Sequence, residues 1–105
     1  MKLEDFIAYL RDPQKLDQYL KRDNIDTDSE QLEIYMQDAL SVDSEVKVFP
    51  IELTGDKPEF QHEGIDYVQL FPMSLALDAF DFLELSGKSN TAAAKRLLHY
   101  RQYDA

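Results

Sequence analysis

The segment from Ser74 to Leu85 constrains the fold most, because its pattern predicts a helix that is apolar on nearly all sides. Its only polar side chains fall on one stripe of that helix: Ser74, Asp78, Asp81 and Glu84. A surface helix needs an apolar face of only about 100°, whereas a helix that is apolar nearly all round is usually buried. We therefore expect this helix to form the centre of the core. It should begin after Pro72 and end near Gly87.

A second helix is predicted to follow, with Ser89 or Asn90 as its N-cap. One face of this helix carries Ala94, Leu97, Leu98 and Arg101. The alanine run 92–94 removes side-chain bulk, so another helix can approach closely there.

The N-terminal third predicts two more helices. Residues 2–11 repeat apolar side chains at helical spacing, which is typical of an amphipathic helix. Pro13 restricts the residue before it to extended backbone and suits the first position of a helix. Asp12 is therefore predicted to end the first helix and to cap the second, which Asn24 should close.

Residues 28–40 predict a third helix, entered through the capping-box spacing of Thr27 and Glu30. A strand from Leu32 to Met36 is the alternative, because Ile34 interrupts the apolar stripe of the helix.

The middle third, residues 41–71, is expected to be irregular with short elements. Val46 to Phe49 alternates and is β-branched, which favours a short strand. Pro58 to Phe60 is expected to open one helical turn, whereas Ile65 to Phe71 fits a second short strand or the entry to the core helix. Together these patterns predict a mainly α fold, a compact single-domain bundle of five or more helices over residues 1–105. The sequence does not decide whether the middle third contains the two short strands.

Composition excludes several classes of protein. The chain has no cysteine, so it has neither disulfides nor a cysteine-containing zinc site. No apolar run approaches the roughly 20 residues that a membrane helix needs. Glu4 and Asp5 lie where a signal peptide would be apolar. We therefore expect a cytoplasmic protein that has no membrane partner.

Charge narrows the range of partners. The net charge is −10, from 21 acidic and 11 basic residues. Nucleic acid is not expected as a direct ligand, because phosphate binding depends on Lys and Arg. Residues 23–46 carry eight acids and neither Lys nor Arg. Such a surface either serves solubility alone or attracts a basic partner.

Catalytic patterns are not found. The three glycines are isolated, so no phosphate-binding loop is present, and no serine nucleophile elbow occurs. His62 lies near Glu63 and Asp66, but no second cluster with ligand spacing accompanies them. The carboxylates of Asp78 and Asp81 fit the solvated stripe of a helix. We expect no enzyme activity, no cofactor and no metal.

Two motifs and a closing segment in the C-terminal half resemble those of a known family of proteins. They are Pro58-Glu59-Phe60, Gly64-Ile65-Asp66-Tyr67 and the stretch from Leu98 to Ala105. From about Pro58 onward the chain resembles the small immunity proteins of bacterial contact-dependent growth inhibition systems. Members of that family continue with an apolar residue where Ala105 ends this chain, so we expect the sequence to be shortened there. The first half shows little of this resemblance.

The resemblance implies a cytoplasmic antitoxin that binds one toxin domain in a 1:1 complex. Many such toxins are nucleases, and we expect a basic ribonuclease domain that is occluded without catalysis. The acidic stretch then supplies the predicted contacts: Asp26, Asp28, Glu30, Glu33, Asp38 and Asp43, with Tyr35 as an anchor. The alternative is a non-enzymatic helical adaptor or a self-associating regulatory domain. The basic residues Lys95, Arg96 and Arg101 are a competing, internal partner for the acids.

Overall fold

The computed structural model describes residues 1–104 and has an α+β fold, so the predicted helical bundle is wrong. Over this range its helices are α1 Leu3–Leu10, α2 Pro13–Arg22, α3 Ile51–Thr54, α4 Met73–Phe82 and α5 Asn90–His99. A π-helical turn, Tyr100–Asp104, continues α5. Its strands are β1 Leu32–Gln37, β2 Val46–Pro50, β3 Glu59–His62 and β4 Ile65–Pro72. Ala105, which ends the motif quoted above, lies outside the described residues.

The two N-terminal helices form as predicted. The side chain of Asp12 accepts hydrogen bonds from the backbone N–H groups of Gln14 and Lys15, which makes it the N-cap of α2. Asn24 has a φ of 56° and lies just past the end of α2. The backbone N–H of Ile25 then reaches back to the carbonyl of Leu20 at 2.9 Å, as in a Schellman ending.

The predicted third helix is wrong, and the strand alternative is confirmed as β1. Ile34 and Met36 belong to the main core, whereas Tyr35 belongs to a separate cluster. That division follows the two-residue period of a strand, in which successive side chains point to opposite faces. Capping-box spacing at residues 27–30 predicted a helix start, but pairing with two other strands overrides this local preference.

The four strands form one antiparallel sheet in the order β2-β1-β4-β3. The register between β1 and β4 shifts once, so that Ile34 pairs with Phe71 while Tyr35 pairs with Gln69. Leu70 is the extra residue at this β-bulge, and it points into the main core together with Phe71.

In the middle third, both of the short strands that the sequence left open are present, as β2 and β4. The helical turn predicted at Pro58 to Phe60 is wrong, because Glu59–His62 forms β3. Glu63 and Gly64, with φ angles of 51° and 79°, connect β3 to β4. Positive φ at both central residues is the requirement of a type I′ hairpin turn, so this pair forms a tight two-residue connection.

Four helices, α1, α2, α4 and α5, pack on one face of the sheet and build the main core. α1 packs against α5, where Ala93 and Ala94 are buried and allow the close approach that their small side chains predicted. Leu97 of α5 and Phe6 of α1 are both fully buried. The centre of the helical layer is therefore the α1–α5 pair.

The prediction that the apolar segment from Ser74 to Leu85 forms the core centre is wrong. α4 buries Met73, Ala76 and Ala79, but Leu77 is 41% exposed and Phe82 is 48% exposed. The helix also ends before Gly87: Leu83 is its C-cap, and Glu84 takes the left-handed position with a φ of 54°. The apolar surface of this helix exceeds what β1 and β4 cover.

Arg11 ties the connection between α4 and α5 to the end of α1. Its guanidinium donates to the carbonyls of Ser86 and Lys88 and to the side chain of Asn90. It also lies 5.3 Å from the ring centroid of Phe80. Ser89 caps α5 by accepting from the backbone N–H of Ala92, as predicted.

The second face of the sheet carries a smaller cluster of buried aromatic rings, contributed by Tyr35, Phe49 and Tyr67. The centroids of Phe49 on β2 and Phe60 on β3 are only 5.3 Å apart, although these strands form opposite edges of the sheet. Flat strands at about 4.8 Å spacing would hold the two edges roughly 14 Å apart, so the sheet curls around this cluster. Of the helices in residues 1–104, none is both long and apolar enough to cross a membrane.

Candidate protein-binding surface

The structure divides the predicted acidic stretch among three places. Asp26, Asp28 and Glu30 lie exposed in the loop before β1, and Asp38 lies exposed just after that strand. A six-residue strand spans about 20 Å, so these two positions are well separated. Asp43 is exposed in a third place, the connection between β1 and β2.

The loop before β1 is fixed by its own hydrogen bonds. The side chain of Asp26 accepts from the backbone N–H of Asp28 at 2.9 Å. Glu52 of α3 accepts from the hydroxyl of Ser29 and from the backbone N–H of Glu30. These hydrogen bonds, that of Ser29 first, lower the pKa of Glu52. The carboxylates of this loop therefore form one exposed acidic end of the sheet.

Glu33 and Tyr35 are not surface residues. Both are fully buried on the second face of the sheet. The Tyr35 hydroxyl donates to the carbonyl of Lys57 at 2.6 Å, and burial raises its pKa. These two predicted contacts face inward because β1 is a strand, so neither side chain is available to a partner in this conformation.

The carboxylate next to Asp43 is already neutralised within the chain. Glu45 pairs with the amino group of Met1, and this hydrogen bond, followed by the attraction of the same charge, lowers the pKa of Glu45. Lys2 donates to the carbonyl of Asp43 and lies 3.7 Å from Glu45. The acids of the β1–β2 connection thus lie beside two positive charges.

Asp38 instead lines an acidic groove with a volume of about 470 Å³. The other lining residues come from the β3–β4 hairpin: Glu59, Phe60, Gln61, Asp66, Tyr67 and Val68. Among the residues described, the lining therefore includes three carboxylates and neither lysine nor arginine. We call this feature the acidic groove.

Backbone geometry brings the three carboxylates together. Asp38 has a φ of 66°, which turns the chain as it leaves β1, and its backbone N–H donates to the carbonyl of Asp66 at 2.8 Å. Glu59 pairs with Val68, and Gln61 pairs with Asp66, so their side chains share one face of the hairpin. The side chain of Gln61 also donates to Asp66 at 3.2 Å.

The electrostatic effect of the groove reaches its aromatic wall. Tyr67 has a raised pKa because it is buried and because Glu63 and Asp38 lie close to it. This negative field favours a cation or a basic side chain as the occupant of the groove.

The sequence predicted Asp38 as a contact residue but did not predict Glu59 or Asp66 as contacts. Their signal was the alternation of polar and apolar residues on both sides of Glu63 and Gly64, which is typical of a hairpin. The interpretation of residues 41–71 as irregular concealed that pattern.

A second pocket, of about 430 Å³, lies between α1 and α2 and carries both charge signs. Tyr9 and Tyr19 meet there with ring centroids 5.1 Å apart, and Arg22 lies 5.6 Å from the Tyr19 centroid. Burial, with Asp23 nearby, raises the pKa of Tyr19 to about 12. Lys15 and Asp5 complete the mixed lining, which gives no preference for the charge of a ligand.

The basic residues of the C-terminal helix do not pair with the predicted acids in residues 1–104. Arg96 and His99 lie near Asp104, and Arg101 donates to the carbonyl of Gln69. Within the same range, no group of three or more His, Asp or Glu side chains is arranged to hold a metal ion.

Comparison of the chain with protein-family models, with curated protein sequences and with solved structures gave no match. The surfaces described above are therefore the basis of the functional proposal.

Proposed function

We propose that this protein is an immunity protein that binds a basic toxin domain and blocks its active site without catalysis. The observation that carries the proposal is the acidic groove, in which Asp38, Glu59 and Asp66 converge without a neighbouring cation in its lining. The net charge of −10 adds a long-range attraction for a basic partner.

The resemblance stated above supports the same function. Two of its motifs, Pro58-Glu59-Phe60 and Gly64-Ile65-Asp66-Tyr67, lie on the hairpin that lines the groove. A ribonuclease domain is the partner class that we favour, because enzymes that bind phosphate carry Lys and Arg around the active site. An acidic inhibitor resembles the charge of the nucleic acid, and the two proteins form a 1:1 complex in the cytoplasm.

Electrostatic attraction suits an antitoxin because it raises the association rate. Steered association is faster by one to three orders of magnitude at low salt, and the advantage falls as salt screens the charges. A toxin that turns over quickly must be captured before it cleaves its substrate.

The test begins with the neighbouring gene. The proposal expects a gene for a large secreted protein directly upstream, whose C-terminal domain arrests growth when it is expressed alone. Co-expression of this chain should restore growth. The purified pair should associate much more slowly in high salt than in low salt.

Two charge-matched triple variants locate the interface. Asp38→Lys, Glu59→Lys and Asp66→Lys together should weaken toxin binding by about a hundredfold or more, because they reverse the charge of the groove. The control replaces the three exposed acids before β1 with lysine: Asp26, Asp28 and Glu30. It changes the net charge equally and should alter affinity by no more than about threefold at physiological salt.

Full neutralisation by the groove variant would overturn the assignment of the groove. A neighbouring domain that leaves growth unchanged, or growth arrest that this chain does not relieve, would overturn the immunity function itself.

A further inference from the structure

The β3 strand leaves one side of its backbone without a partner. β3 forms an edge of the sheet and pairs only with β4 among the described residues. Such an edge offers a row of N–H and carbonyl groups to any strand that can lie beside it.

The register identifies which backbone groups point outward. His62 and Ile65 flank the two-residue turn and form the first hydrogen-bonded pair, and the alternation of an antiparallel ladder then makes Phe60 and Tyr67 the next. The bond from the N–H of Gln69 to the carbonyl of Pro58, 2.9 Å long, continues the same alternation. The N–H and carbonyl groups of Glu59 and Gln61 therefore point away from the sheet.

The opposite edge of the sheet differs. The N–H of Val46 on β2 donates to the carbonyl of Met1 at 2.8 Å. The N-terminal residue thus covers the start of that edge, and the same segment places Lys2 beside it. Of the two edges, β3 is the more accessible to another chain.

The β3 strand presents different side chains on its two faces. On the helix side, the side chains of Glu59 and Gln61 share a face with Asp66 of β4. On the other side, Phe60 and His62 stack with their centroids 5.8 Å apart and an interplanar angle of 17°. A strand added here would alternate between an acidic face and an aromatic face.

We propose that the β3 edge is the docking site for an extended, basic segment of the partner protein, which adds a fifth strand to the sheet. This inference rests on the proposed function, because the toxin domain supplies the segment. Its residues opposite Glu59 and Gln61 are Lys or Arg, and its residues opposite Phe60 and His62 are apolar. Backbone hydrogen bonds provide affinity, and the alternation provides specificity.

The charge of the edge also determines what does not bind. A second copy of this chain that paired along the same edge would bring another Glu59 close to the first, and like charges on neighbouring strands are destabilising. Glu59 therefore opposes pairing between copies while it attracts a basic strand.

The test uses an eight-residue peptide of alternating arginine and valine, and measures amide hydrogen exchange of the whole chain by NMR. Saturating peptide should slow exchange at Glu59 and Gln61 by at least about tenfold. The amides of Phe60 and His62, which already bond to β4, serve as internal controls and should change little. A peptide with the same composition in two blocks should bind more weakly.

A variant provides a second measurement. Gln61→Pro removes one outward N–H, and proline is tolerated on edge strands. It should weaken peptide binding by about three- to tenfold, which is the effect of one hydrogen bond. Gln61→Ala removes the same side chain but retains the N–H, so Gln61→Pro should bind more weakly than Gln61→Ala by this factor, and equal binding of the two variants would overturn the outward hydrogen bond.

Failure of this inference is distinguishable from failure of the proposed function. Peptide binding without slower exchange at Glu59 and Gln61, or no peptide binding at all, overturns edge pairing. The immunity function survives that result if this chain still neutralises the toxin and the groove variant does not.

Discussion

Glu33 combines full burial with a carboxyl group that makes no hydrogen bond of acceptable geometry within residues 1–104. Burial, and then the neighbouring Asp56, raises its pKa from 4.5 to about 7. A buried carboxyl group of this kind favours the neutral form, because its charged form loses hydration without gaining a cation. The sequence shows that Glu33 is acidic. Whether its side chain points toward solvent or into the protein depended on whether residues 28–40 formed a helix or a strand.

The first stability prediction concerns the pH dependence that Glu33 creates. Its folded-state pKa lies above the unfolded value, so the folded chain retains a proton that the unfolded chain releases between about pH 4.5 and pH 7. The free energy of unfolding should therefore fall as pH rises through this window. The contribution of Glu33 amounts to about 3 kcal/mol and is fully present only below pH 4.5.

Glu33→Gln should remove that contribution to the pH dependence. Urea melts should show the variant about 2–3 kcal/mol more stable than the natural chain at pH 8, and nearly equal to it at pH 4.5. Glu30→Gln is the matched control on the exposed loop and should leave the difference between the two pH values unchanged. If the free energy of unfolding changed equally with pH in the natural chain and in Glu33→Gln, Glu33 would not be the source of the pH dependence.

At the level of elements, local patterns located the starts of α2 and α5 but not the burial of α4. Asp12 and Ser89 cap α2 and α5 as predicted, because capping depends on side chains within a few residues. The apolar pattern of α4 did not predict its position, because burial depends on which surfaces lie beside it. A helix with an exposed leucine and phenylalanine cannot be distinguished from a core helix by periodicity alone.

A pair of leucine substitutions tests where the helical core lies. Leu97→Ala, in the fully buried face of α5, should cost about 2–5 kcal/mol in the free energy of unfolding. Leu77→Ala, at a position that is 41% exposed, should cost less than about 1 kcal/mol. Chemical denaturation measures both. Equal losses in the free energy of unfolding would indicate that α4 is as central to the core as α5.

The end of α4 offers a stabilising substitution. Glu84 has a φ of 54°, in the left-handed region that suits glycine at this position past a helix. Glu84→Gly should raise the free energy of unfolding by about 1 kcal/mol, because it relieves the steric cost of a side chain there. Ser86→Gly, which lies outside that region, is the control and should give no gain in the same thermal and urea melts.

At the scale of the whole molecule, composition predicted the charge but not its arrangement. The value of −10 follows from the sequence, whereas the convergence of Asp38, Glu59 and Asp66 requires β1 and the β3–β4 hairpin to meet. The paired residues of β1 and β4 are separated by at least thirty positions in the chain, and no local pattern specifies such a pairing. The two short strands that the sequence left undecided in the middle third are two of the four strands of the sheet. Their pairing partners could not be predicted from local sequence patterns.

The packing of α1 against α5 has a consequence for how the chain acquires its structure during synthesis. The ribosome makes α1 before the four strands and its main helical partner, α5, after them. Contacts between such distant segments slow folding, because the intervening chain must be ordered before they form. The helical layer can therefore close only after α5 has left the exit tunnel, and until then α1 lacks the surface that it packs on.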